Sequence, residues 1–357
     1  MEEKQSSRRT WLLLVAVLAG LVLAGGAITA LAGPPPSARP GEQPSVSPSA
    51  VSAWSSGWVA IAPGATRTFS HGLGLDPNLY SVEMWFLDTD DGWGINRRYY
   101  GGVEENGQRF GAHWQRLTTN TIQVYREPND TAADQVRVIV WVPSTTPDYD
   151  SGWKDINPTE DKTFNHNLGH TLGVTADNLT VSLWFSTTKG TTPFGIHHMA
   201  YGSKVDTGNV IGANWHNLTD NDVQVARRAN DQFVDQVRVL VSHADPPDYD
   251  SGWRNIQKGE ALTLPTGLNW NPDMLIARGE CKKGTPLPNL GIHQMFSGGN
   301  HSSMVLFFNG WQGADLQNVT SNTITIYRWD DDTVCPQVRV RIWERAYAMD
   351  IPVVLKE

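Results

Sequence analysis

Apolar and polar residues alternate along most of the chain. Ser81-Val82-Glu83-Met84-Trp85-Phe86 and Val181-Ser182-Leu183-Trp184-Phe185 each read as a half-buried strand, because side chains two apart share one face of a sheet. Three more strands are expected between Gly111 and Trp141. Gly111–Leu117 is the first. Thr121–Arg126 is the second, with Ile122 and Val124 facing one way. Gln135–Trp141 is the third, with Val136, Val138 and Val140 on one face. The block recurs from Gly212 as GANWHNLTDNDVQVARRANDQFVDQVRVLV and from Gly313 as GADLQNVTSNTITIYRWDDDTVCPQVRVRIW. A second marker, SGW, opens each unit at Ser56, Ser151 and Ser251. No helical period is sustained beyond the N-terminal region. The pattern predicts an all-β chain of three tandem antiparallel β-sandwich domains, each of about 95 residues. Their bounds are 54–147, 148–247 and 248–347, with a tail at 348–357. Trp58, Trp153 and Trp253 of the SGW markers are expected to cap cores.

The N-terminus breaks this pattern. Arg8 and Arg9 precede an uncharged apolar run from Trp11 to Ala32. Residues 1–32 therefore read either as a cleaved signal peptide or as a retained membrane anchor. Gly33 to Ala53 is a Pro/Ser-rich linker that cannot bury a core. Both readings place the repeats outside the cytoplasm, secreted or tethered at the cell surface, with membrane contact only through residues 11–32.

Net charge is −9 and no basic run follows the N-terminus, which disfavours a nucleic-acid partner. The 15 Trp suit buried cores, with some left to stack on a ligand. Both cysteines lie in the third unit. Cys281 aligns with Phe86 and Phe185, and Cys335 with Ala133 and Val234. Their joint appearance in one unit predicts a disulfide, compatible with export and worth about 4 kcal/mol in the chain-entropy model.

No catalytic fingerprint stands in a suitable context, so the chain reads as a non-enzyme with no cofactor. Asp88, Asp90 and Asp91 could offer oxygens to calcium, but the second unit has no carboxylate there and a solvated loop is the better reading. His197 and His198 have one counterpart, His293, while the first unit carries Asn96 and Arg97; a metal site there is disfavoured. The most repeated polar feature is the loop before the last strand. It holds Arg126, Asn129 and Asp130, then Arg227, Asn230 and Asp231, then Arg328, Asp331 and Asp332. Such groups can pair with vicinal hydroxyls of a sugar; equally, Arg and Asp can pair with each other and pin a hairpin. Arg137, Arg238 and Arg339, inside the last strand, read as bridges between strands. Trp114 and Trp215, followed by Gln115 and His216, form a second aromatic and polar cluster, with Leu316 and Gln317 in the third unit. These Trp read as core residues that remain candidates for ligand contact.

The order of these motifs, SGW, a Pro-led VEMWF-type strand, LTxNTIxVY and a closing VIVW or VRIW strand, resembles the H-type lectin domain. That resemblance implies a small six-stranded sandwich, binding of galactose-type sugars, and trimeric association, which three tandem units could achieve as an intramolecular pseudo-trimer. Family members carry a Trp-His pair after the strand matching Thr121–Arg126, where this chain has Arg126–Asp130. The expected function is a surface-displayed, carbohydrate-binding adhesion protein with up to three sites for glycans or surface polysaccharide. The alternative is a stalk or filament protein whose repeats serve spacing and self-assembly.

Overall fold

A computed structural model of the chain describes residues 52–105, 107–187, 194–206, 209–243, 245–284, 290–294 and 311–344. The expected export segment, nearly all of the linker and the C-terminal tail lie outside the described residues.

The first repeat shows how the alternating pattern becomes sheets. Its strands are β1 (Ser52–Ser55), β2 (Val59–Ala60), β3 (Thr66–Ser70), β4 (Ser81–Leu87), β5 (Ile95–Asn96), β6 (Val103–Glu105), β7 (Gln108–Phe110), β8 (Ala112–Gln115), β9 (Thr121–Arg126) and β10 (Gln135–Val142). A five-stranded sheet runs β1-β10-β4-β5, with β2 also on β10; a three-stranded sheet runs β3-β9-β8; β6 and β7 form a hairpin. All pairs are antiparallel, with Val136 opposite Phe86 and Val138 opposite Met84. The apolar faces of the two larger sheets meet: Met84, Phe86, Val136 and Val138 from one pack with Phe69, Ile122, Val124 and Trp114 from the other. The second and third repeats rebuild the five-stranded and three-stranded sheets. Among the described residues the longest helix is a single short turn, α1 (Leu168–Leu172).

The repeats are not three tandem sandwich domains. Their six larger sheets stand around a ring in the arrangement of a six-bladed β-propeller. Each repeat is stitched to the next by main-chain hydrogen bonds at a sheet edge. Leu117 bridges Ile196, and Leu218 bridges Ile292. Arg97 N donates to Leu316 O at 2.8 Å and Val319 N to Ile95 O at 3.0 Å, which joins the third repeat back to the first. The cores are shared in the same cyclic order. Trp184 belongs to the first repeat's core, Trp85 to the third's and Ile292 to the second's. No repeat therefore owns a complete core. The pattern within one repeat cannot reveal this, because sharing leaves each strand's alternation unchanged.

Gly111 and Gly212 recur for a stereochemical reason, and Gly313 shares their positive φ, at +96°. Gly111 has φ +87°, and a Cβ there would sit 2.0 Å from Tyr99 O; Gly212 has φ +82° and would meet Ala200 O at 2.0 Å. Only glycine tolerates both demands.

Candidate functional site at the seams between repeats

The structure brings each Arg and Asp of the repeated loop together, but buries them. Arg126 Nε donates to Asp130 Oδ2 at 2.9 Å, Arg227 Nε to Asp231 at 2.8 Å and Arg328 Nε to Asp332 at 2.6 Å. Asp130 Oδ1 also accepts from Gly111 N at 2.7 Å and Oδ2 from Ala133 N at 2.9 Å. Arg126 Nη1 reaches Ile61 O at 2.9 Å, and the other two repeats make the same bonds. The Asp side chains are 0% exposed. These six residues lock the hairpin loop to the glycine ahead of the three-stranded sheet, and burial withdraws them from a surface sugar site. Burial pushes the Asp130 and Asp231 carboxyls up, opposed by Arg126 and Arg227. Asn129, Asn230 and Asp331 stay exposed at the loop tip.

Trp114 and Trp215 are core residues, 0% and 3% exposed. Trp114 Nε1 donates to Tyr100 Oη at 3.0 Å. Cys281 and Cys335 form the expected disulfide, with Cα atoms 5.0 Å apart. The register places Cys281 opposite Val338, as Phe86 lies opposite Val136. Asp88 turns inward and accepts from the backbone of Asp90, Asp91 and Trp93, and Asp88, Asp90 and Asp134 come within 4.8 Å of one another. Neighbouring Asp134 raises the Asp90 carboxyl.

The SGW tryptophans do cap cores, but each caps its neighbour's. Trp153 packs on the first repeat's core, Trp253 on the second's and Trp58 on the third's. Each indole N–H is received by the middle residue of a 3₁₀ turn in that neighbour: Trp153 by Asn78, Trp253 by Asp177 and Trp58 by Asp273, all at 2.8 Å. The strand arginines, read from sequence as bridges between strands, reach across the same seams. Arg238 Nη1 donates to Asn78 O at 2.6 Å, Arg339 Nη1 to Asp177 O at 2.7 Å and Arg137 Nη2 to Pro272 O at 3.1 Å. Arg238 also grips Asp150 with two nitrogens, at 2.9 and 2.5 Å, and Arg339 grips Asp250 in the same way. This Arg238 bond holds the Asp150 carboxyl below its ordinary range. Ser55 stands where Asp150 and Asp250 stand, so Arg137 Nη1 turns instead to Asp273, at 2.5 Å.

Each seam thus gathers a partly exposed Trp, an Arg and a carboxylate. The Asp177 and Asp273 side chains are each 50% exposed and that of Asp150 is 36%. Sequence reading isolated the Trp and the Arg but missed Asn78, Asp177 and Asp273. The available signal was the short turn before each long strand, Pro77–Leu79, Ala176–Asn178 and Pro272–Met274.

No family model, curated protein or solved structure matches the chain. Among the described residues no helix is long and apolar enough to cross a membrane.

Proposed function

We propose that this is an exported, surface-displayed carbohydrate-binding protein whose sugar sites are the three seams between repeats. The observation that carries the reading is recurrence. A partly exposed indole stands beside a solvent-reaching carboxylate or amide and an Arg at every junction. An aromatic face takes the C–H side of a pyranose, while a fixed carboxylate–Arg pair takes vicinal hydroxyls. Because both repeats must be in place to form a seam, the sites come at fixed mutual spacing. Weak single sites so linked give avidity through effective concentration. The disulfide agrees with an oxidising compartment.

The test is a glycan array of the intact, oxidised chain beside Asn78→Ala and Asp177→Ala, with thermal melting as the fold control. Loss of array signal in folded variants supports the seam site. Binding that is unchanged in both moves the site elsewhere, and silence of the wild type across the array favours the spacing and self-assembly role.

A further inference from the structure

A cavity of about 90 Å³ lies where the long strands of all three repeats converge, with Glu83, Ser182 and Arg278 on its wall. These three residues occupy the same register position in their repeats: Glu83 lies opposite Ile139, Ser182 opposite Leu240 and Arg278 opposite Arg341. Sequence alternation calls for an ordinary strand residue there, yet the three choices make a charged centre. Glu83 is 1% exposed and is shared by two guanidinium groups. Arg278 Nη1 donates to its Oε2 at 2.7 Å, and Arg97 Nη2 donates to its Oε1. The remaining acid on the wall, Glu280, is matched by Arg341. Glu280 is thus drawn to Arg341 behind the wall, and Arg97 and Arg278 share the single acid Glu83. Arg97 also lies over the Trp85 ring at 4.3 Å, which fixes its plane.

Two further observations point to an occupant. Gln294 lines the cavity and is only 3% exposed, yet neither its Oε1 nor its Nε2 has a hydrogen-bond partner among the described residues. Arg97 Nε is likewise buried without one. Buried polar groups are almost always satisfied, and these lie in one polar, guanidinium-lined space. Its size suits a few waters or one small organic anion. The side chains of Arg97 and Arg278 remain 17% and 26% exposed, so the cavity communicates with solvent.

We infer that this axial cavity binds a small carboxylate monoanion, held by Arg97, Arg278 and the Gln294 amide. A planar carboxylate fits guanidinium donors in paired fashion and would take up the unmet donors of Arg97 Nε and the Gln294 amide. The site is distinct from the Trp, Arg and carboxylate clusters proposed to bind sugar, so it stands whether or not they do.

The test is thermal melting of the intact chain in sodium formate or acetate against sodium chloride at matched ionic strength, for the wild type, Arg278→Ser and Gln294→Leu. A ligand that binds the folded state raises Tm saturably. Expected is a saturable rise in formate or acetate above chloride, with half-saturation at least tenfold higher in both variants. Gln294→Leu keeps every charge and decides the matter if Arg278→Ser fails to fold. Equal rises in carboxylate and chloride, or wild-type saturation in Gln294→Leu, would overturn the inference.

Discussion

At the scale of single residues, position and burial decide roles that chemistry alone leaves open. Asn96, His197 and His293 stand at one register position, and each reaches a loop carbonyl: Asn96 Nδ2 to Ala132 O at 3.0 Å, His197 Nε2 to Phe233 O at 2.8 Å and His293 Nε2 to Val334 O at 2.8 Å. One donor is what the position requires. Burial pushes His197 down to about 3 and His293 down to about 4, and it does the same to His113, to about 4. Their folded values lie below the unfolded value of 6.5, so the unfolded chain binds more protons between those limits. Stability from the neutral imidazoles is present above pH ~6.5 and is lost as pH falls toward their folded values. Denaturant titrations at pH 7 and pH 5 should show the drop, and His197→Asn, which borrows the first repeat's solution, should make it shallower. An unaltered slope in that variant would assign acid sensitivity to other groups. The loop aspartates make a second case. Asp231→Ala leaves Arg227 buried beside vacated hydrogen bonds. It should cost about 3–5 kcal/mol of stability, whereas exposed Asn230→Ala should change little in the same urea titration.

At the scale of elements, strands, their facing residues and the repeat were legible in the sequence, because a period of two reports directly which face is buried. Ile122 and Val124, and Val136, Val138 and Val140, are all buried as the alternation requires. The disulfide was legible too, since Cys281 and Cys335 fill positions held by Phe86 and Ala133, both core residues. The seams were not. Trp153 and Asn78 are brought together by the packing of one repeat on another, and nothing local in either segment names the partner. The loop ions were ambiguous for a related reason: an Arg and an Asp four residues apart read alike whether they face a ligand or each other, and only their burial separates the cases. The disulfide ties Cys281, on a strand, to Cys335, in the loop before the third repeat's last strand, across a separation of 54 residues. Cys281→Ala with Cys335→Ala should therefore lower stability by about 4 kcal/mol from loop entropy, with an added loss for the smaller core side chains. Equilibrium unfolding of the double variant measures it, and an unchanged midpoint would show that the sheets alone hold that loop closed.

At the scale of the whole molecule, closure of the ring is the feature that makes three similar units one folded body. The chain connects the first repeat to the second and the second to the third, but the third meets the first only through space. That last seam rests on Trp58 to Asp273, Arg137 to Asp273 and Pro272, and the edge bonds from Arg97 to Leu316 and from Val319 to Ile95. If each repeat folded alone, loosening this seam would swing the first repeat away while leaving every core intact. The shared cores predict otherwise. Trp58 packs against the third repeat's core and Trp85 is part of it, so an open ring exposes apolar surface at both ends. Trp58→Ala removes a cap and a cross-seam hydrogen bond, a change expected to cost about 3 kcal/mol at a partly buried site. Trp153→Ala, at a seam that the chain also spans, should cost about the same in direct contacts. The two variants should differ in association state. Without a covalent tether across its seam, Trp58→Ala should favour open forms that pair with a second copy, whereas Trp153→Ala should keep the association state of the wild type. Light scattering coupled to size-exclusion chromatography, read beside the melting curves, separates the cases. Concentration-dependent dimers in Trp58→Ala alone would fit closure through space, and identical association behaviour with independent melting of the repeats would show that the units are self-sufficient after all.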